Sequence, residues 1–152
     1  PCRSIKENIS LPNLKSLCKA GFLNKKMEKE QVQDYFKRLR IKANSMNVDA
    51  YTLSGGNQQK LVLAKWLMSN PKVLILDEPT RGIDVGAKYE IYELMNEMAE
   101  AGMAVLMISS ELPELIGMCK RIYVMAEGEI KGELENEDIS QVSVMQLATG
   151  GH

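Results

Sequence analysis

The run Val73-Leu74-Ile75-Leu76 limits the fold more than any other stretch, because it is short, apolar throughout and closed by Asn70-Pro71 before it and Asp77-Glu78-Pro79 after it. Four residues between prolines are too few for a stable helix, so the run predicts a strand buried on both faces. Similar runs follow at Ala104 to Ile108 and Arg121 to Met125. Between the first two, residues Val85 to Glu100 predict a helix whose apolar line (Ile91, Leu94, Met95, Met98) opposes an acidic line (Glu90, Glu93, Glu97, Glu100). The acidic line reads as water-facing, and Gly102 ends the helix. Glu111 to Met118 predicts a further helix, Gly128 a tight turn into Glu129 to Gly132, and Asp138 to Ala148 a closing helix. Alternation of strand and helix predicts an α/β fold with a parallel sheet and flanking helices.

The residues before Pro71 read differently. Pro1 to Leu11 is expected to be extended or irregular, followed by a helical piece from Leu14 to Ala20 closed by Gly21. Glu28 to Leu39 carries Val32, Tyr35, Phe36 and Leu39 at helical spacing, with Glu28, Lys29, Glu30, Asp34, Lys37 and Arg38 on a face read as solvated. A polar connector, Lys42 to Ala50, leads to Leu53-Ser54-Gly55-Gly56-Asn57-Gln58-Gln59-Lys60 and a helix from Gln58 to Met68. A serine and two glycines ahead of a helix present bare amides and the positive end of the dipole, which suit a phosphate. By itself the same pattern also fits a plain N-cap and turn.

Composition narrows the function. With 152 residues, 45% of them hydrophobic, the chain has enough apolar material for one core. Lys+Arg 19 against Asp+Glu 20 gives a net charge of -1, without the basic field that draws a protein to nucleic acid. Cys2, Cys18 and Cys119 form no paired motif, the only histidine is His152, and the ten methionines read as core filler. No apolar run reaches the roughly 18 residues of a membrane span.

Ligands of a parallel sheet gather at the carboxyl ends of its strands. There the first strand places Asp77 and Glu78 side by side. One carboxylate can face a hydrated magnesium ion while the other orients or deprotonates an attacking water.

Leu53 to Lys60 resembles the signature motif of ABC-type ATPases, with Asn57 where many members have glutamine. Val73 to Thr80 is similar to their Walker B strand, and Arg81-Gly82-Ile83-Asp84 falls at their D-loop. The variant residues Thr80 to Lys88, Ser109-Ser110-Glu111 and the early Ser4 to Ser10 look most like the second ATPase half of monosaccharide importers of the ribose and galactose type. The resemblance implies an incomplete P-loop NTPase core at residues 71-152 and a helical subdomain, with the signature helix, at 1-70. It further implies ATP and Mg2+ as cofactors, with Ser54, Gly55, Gly56, Asn57 and Gln58 touching a nucleotide held by the other ATPase half. Asp77 then holds magnesium, Glu78 activates water and Asp84 lies at the interface. Partners are a transmembrane permease reached through the helical subdomain and, indirectly, a sugar-binding protein. The implied location is the cytoplasmic face of a bacterial inner membrane.

Two departures set limits. The family's switch histidine aligns with Ser110, which lacks the imidazole's proton chemistry. No glycine is followed by Gly-Lys at P-loop spacing, so these residues by themselves are expected not to hydrolyse ATP. Three other readings stay open at this point: an ABC-type ATPase of translation or DNA repair, a P-loop ATPase outside the ABC group, and a non-hydrolytic adaptor docking on a permease.

Overall fold

The computed structural model describes residues 3–150, so the readings of Cys2 and His152 lie outside the described residues. Residues up to Leu106 form one compact unit and those from Met107 a second.

The first unit begins with a helix where an irregular segment is expected: α1 spans Ile5–Ser10. Its cause is local. The Ser4 hydroxyl accepts from the Glu7 amide while the Glu7 carboxylate accepts from the Ser4 amide, a capping box that satisfies two donors of the first turn. Ile5 and Ile9 are then buried. The polar connector Lys42 to Ala50 is tied to this start, since Ile5 N donates to Val48 O (3.0 Å) and Lys6 N to Met46 O (2.9 Å).

After a single 3-10 turn at Leu11–Asn13 come α2 (Leu14–Leu17) and a small hairpin of β1 (Cys18–Lys19) and β2 (Phe22–Leu23). The helical piece predicted up to Ala20 therefore stops at Leu17, and Ala20 and Gly21, both at positive φ, make the turn. Helix α3 (Lys25–Arg38) is capped by Asn24, whose Oδ1 accepts from Met27 N at 3.1 Å. Its buried line includes Val32 and also Glu28, which the sequence places on the solvated face. Glu28 accepts from Ser10 Oγ at 2.8 Å and pairs with Lys6 at 3.4 Å, so its charge is compensated inside.

Helix α4 (Gly55–Leu67) starts three residues before the predicted position and packs on α1, α3 and α5. Tyr35 Oη of α3 donates to Leu67 O at its far end (3.1 Å). Strand β3 (Val73–Asp77) leads into α5 (Val85–Glu100), whose bounds and buried line (Ile91, Leu94, Met95, Met98) follow the sequence pattern. Met95 and Met98 fill core as expected, whereas Met125 and Met145 are exposed. Strand β4 (Ala104–Ile108) pairs with β3 after the α5 crossover, the parallel arrangement. Burial of β3 alternates instead of being complete: Leu74 and Leu76 are buried, while Val73 and Ile75 are 58% and 62% exposed. An all-apolar run predicts cover on both faces, and these residues supply it on one.

In the second unit α6 (Leu112–Met118) precedes β5 (Arg121–Ala126) and β6 (Glu129–Glu135). The sequence assigns β5 to the parallel sheet, but its partner is β6, antiparallel, with Ala126 opposite Glu129. Glu127 and Gly128, both at positive φ, close the two residues between them, as twisted hairpins require. Helix α7 (Gln141–Thr149), with a capping box between Ser140 and Ser143, lays Val144 and Leu147 against Ile122, Val124 and Leu134.

Candidate functional site

The Ser54 turn is built by its neighbours. Ser54 is the N-cap of α4, yet its side chain accepts no amide of the first turn; its Oγ accepts instead from Asn57 Nδ2 at 2.9 Å. Asn57 is fixed from the other side, because its Oδ1 accepts from Lys42 N at 2.8 Å. Gln58 Nε2 donates back to Leu53 O at 2.9 Å, holding the turn closed. Ser4, Asn24, Asp84 and Ser140 each satisfy a first-turn amide of their own helices. At α4 that acceptor is not supplied by the cap, and Ser54 and Gly55 are exposed.

Gly55 and Gly56 have separate reasons to be glycine. A Cβ on Gly56 would stand 2.4 Å from Ala87 Cβ, so α4 and the first turn of α5 approach as closely as they do only because the side chain is missing. A Cβ on Gly55 would lie 3.4 Å from Ile83 Cγ2 and 3.7 Å from Gly82 O. The signature-like turn thus rests on Gly82 and Ile83, nearly thirty residues away in the sequence. Asp84, expected at an interface, is here the N-cap of α5, its Oδ1 accepting from Ala87 N at 2.9 Å.

A charged network continues behind the turn. Lys60 is buried; its Nζ ion-pairs with Glu90 of α5 and donates to Arg40 O at 3.3 Å. Glu90 also takes Lys42 Nζ at 3.1 Å, and Arg40 reaches Glu93 at 2.9 Å and Glu97 at 3.5 Å. The hydrogen bonds from Lys60 and then Lys42 hold the Glu90 carboxyl below its ordinary range. The acidic line read as purely water-facing is therefore partly a set of anchors for α4 and for the residues after α3. A continuous path runs from Ser54 Oγ through Asn57, Lys42 and Glu90 to Lys60. The sequence reading missed Lys60, Lys42 and Ala87. A signal existed for Lys60: with Gly56, Leu63, Ala64 and Leu67 it lies on one buried helical stripe.

Asp77 is exposed at the carboxyl end of β3. Among the described residues its carboxylate takes no side-chain hydrogen bond or ion pair. Glu78 is half-buried with φ 46, a left-handed backbone unusual for glutamate, and its carbonyl accepts from Arg81 N at 3.2 Å. Pro79 and Thr80 are buried behind it. No group of three or more His, Cys, Asp or Glu is gathered among the described residues. Ser110, at an exposed position after β4, belongs to the second unit.

Comparison with known proteins bears on these motifs. The family model described as ABC transporter matches residues 2–81, just over half of the chain. The chain belongs to the ABC transporter family. Among curated relatives, the ribose import ATP-binding protein RbsA of Bacillus licheniformis is 57% identical over 97% of this chain. Its counterpart in Oceanobacillus iheyensis is 56% identical over 98%. The chain spans about 30% of the length of either. An ATP-binding cassette of an ABC transporter in its ADP conformation superposes with a TM-score of 0.72 at 28% identity, covering 99% of this chain and 63% of that one. In this ABC family member the α/β fold is that of part of an ATP-binding cassette.

Proposed function

We propose that this chain is part of the ATP-binding subunit of an ABC importer that couples ATP binding and hydrolysis to uptake of a monosaccharide of the ribose or galactose type. The observation that carries the reading is Ser54: an exposed N-cap that leaves the amides of α4 without a side-chain acceptor and is itself oriented by Asn57. Such a turn suits a phosphate brought by a partner, and the printed names of the ribose importer relatives support the substrate class.

In this proposal Ser54, Gly55 and Gly56 contact the γ-phosphate of a nucleotide held by the other ATPase half, while Asn57 and Gln58 fix the turn. Asp77 would hold Mg2+, which would neutralise phosphate charge when bound, and Glu78 would orient the attacking water. Ser110 stands in for the switch histidine, and Asp84 lies at the contact between halves. Residues 1–70 would act as a helical subdomain that docks on the permease, and 71–152 as part of the core. A sugar-binding protein is an indirect partner, nucleic acid is not one, and the site of action is the cytoplasmic face of a bacterial membrane. No helix among the described residues is long and apolar enough to cross a membrane.

Because these 152 residues contain no Gly-x-x-x-x-Gly-Lys, the chain alone should neither bind ATP tightly nor hydrolyse it. Micromolar binding of a fluorescent ATP analogue would contradict this. In the intact transporter, Ser54→Ala removes the hydroxyl without crowding and should lower ATP-driven sugar uptake more than Glu78→Gln, since Ser110 already weakens the site that Glu78 serves. Equal loss from both would overturn the assignment. Gly56→Asp is a poorer probe, because any side chain there meets Ala87.

A further inference from the structure

The β1–β2 hairpin carries the most exposed large apolar side chain of the described residues, Phe22 at 82%. Leu23, beside it, and Met27, one turn into α3, are also exposed. Around them the segment Leu14 to Glu30 holds five lysines, Lys15, Lys19, Lys25, Lys26 and Lys29, against two glutamates. One of those acids, Glu28, is turned inward onto Ser10 and Lys6, so only Glu30 offsets the lysines at the surface. All five lysines are exposed, and among the described residues none takes part in a salt bridge. Lys19 lies directly across the hairpin from Phe22.

Solvation alone is a poor account of this patch. Lys25 and Lys26 occupy the first two positions of α3, where the helix dipole is positive and a cation is unfavourable. An aromatic ring held in water at a hairpin tip is unfavourable too. Both costs are recovered on a surface that is anionic outside and apolar just beneath. We infer that the β1–β2 hairpin, with the first turn of α3, is a contact site for an anionic lipid surface, the lysines facing headgroups and Phe22 entering the acyl boundary. A polyanion with no apolar or stacking face, such as heparin, would use the lysines but not the ring. The inference is independent of the nucleotide assignment, since it uses none of residues 53–84.

The test is co-sedimentation of the 152-residue chain with vesicles of phosphatidylcholine alone or with phosphatidylglycerol added. Binding is expected only with phosphatidylglycerol and is expected to be lost in 1 M salt, where the screening length falls to about 3 Å. With about fivefold in partition per lysine, K25E/K26E should weaken binding by about thirtyfold or more. That variant relieves the helix-dipole conflict, so its fold is not at risk, and unchanged circular dichroism checks this. F22S should weaken binding several-fold while leaving retention on heparin unaltered. Equal binding to both vesicle types, full binding by K25E/K26E, or an F22S variant that still binds vesicles like the parent would each overturn the inference. The last result would mark a plain polyanion patch.

Discussion

Gly56→Ala offers the sharpest test of why the signature-like turn contains its second glycine. Intrinsic propensity argues that the change should help, since alanine is favoured over glycine in a helix by up to about 1 kcal/mol. The packing argues the reverse. The added Cβ would lie 2.4 Å from Ala87 Cβ, and the obstacle is a methyl on a neighbouring helix, which cannot swing aside as a long side chain does. Ordinary carbon contacts lie at about 3.5–4.0 Å, so α4 and α5 must separate by more than about 1 Å. Overpacking of that kind costs about 1–3 kcal/mol, and the net expectation is destabilisation by up to about 2 kcal/mol after the propensity gain. Removing the obstacle should reverse it: in Gly56→Ala/Ala87→Gly the nearest remaining atom is Ala87 Cα at 3.8 Å, an ordinary contact. Urea unfolding followed by Trp66 fluorescence and far-UV circular dichroism on the parent, both single variants and the double variant gives the coupling, expected near 2 kcal/mol. A stabilising Gly56→Ala, or a coupling below about 0.5 kcal/mol, would refute the close-approach argument.

Other expectations follow from the ion pairs. Lys60 and Lys42 depress the Glu90 pKa from the ordinary 4.5, so the native state binds that proton less readily than the unfolded chain. Its stabilisation is therefore present above about pH 4.5 and drains as pH falls through the lower native value; the stability gap between the parent and Glu90→Gln should close over that acid range, and a gap independent of pH would contradict the pairing. Glu28→Ala leaves the buried Ser10 hydroxyl without its acceptor and should cost about 1–3 kcal/mol in urea unfolding, whereas Glu28→Gln, which can still accept from Ser10, should cost less. Ser54→Ala in the intact transporter and Phe22→Ser on vesicles are the functional counterparts, read by uptake and by sedimentation.

How far the sequence reaches depends on the range of the signal. Helix α5 was legible to the residue because its apolar spacing, its Asp84 cap and Gly102 all act within a few positions. The Asp77-Glu78 strand end and the Ser54 helix start were legible for the same reason. Helix α1 also rests on a local signal, a Ser4/Glu7 capping box with Ile5 and Ile9 one turn apart. Glu28 and Lys60 failed differently. Both lie on the buried stripe of their helices, and a charge on such a stripe reads as solvated until its partner is known. Those partners, Ser10 and Lys6 for one, Glu90 for the other, sit eighteen to thirty residues away.

By itself the sequence determined where β3, β4, β5 and α5 begin, that carboxylates stand at a strand end, and that a serine and two glycines open α4. These follow from periodicity, caps and turn residues, which act through the chain over one or two turns. Only the tertiary structure decided that Gly56 is a contact with Ala87, that Asn57 turns the Ser54 hydroxyl away from capping, that β5 pairs with β6, and that these residues cover the Leu74 and Leu76 face of β3. Each of those depends on which distant residue arrives at van der Waals or hydrogen-bond distance, and no local pattern carries that information.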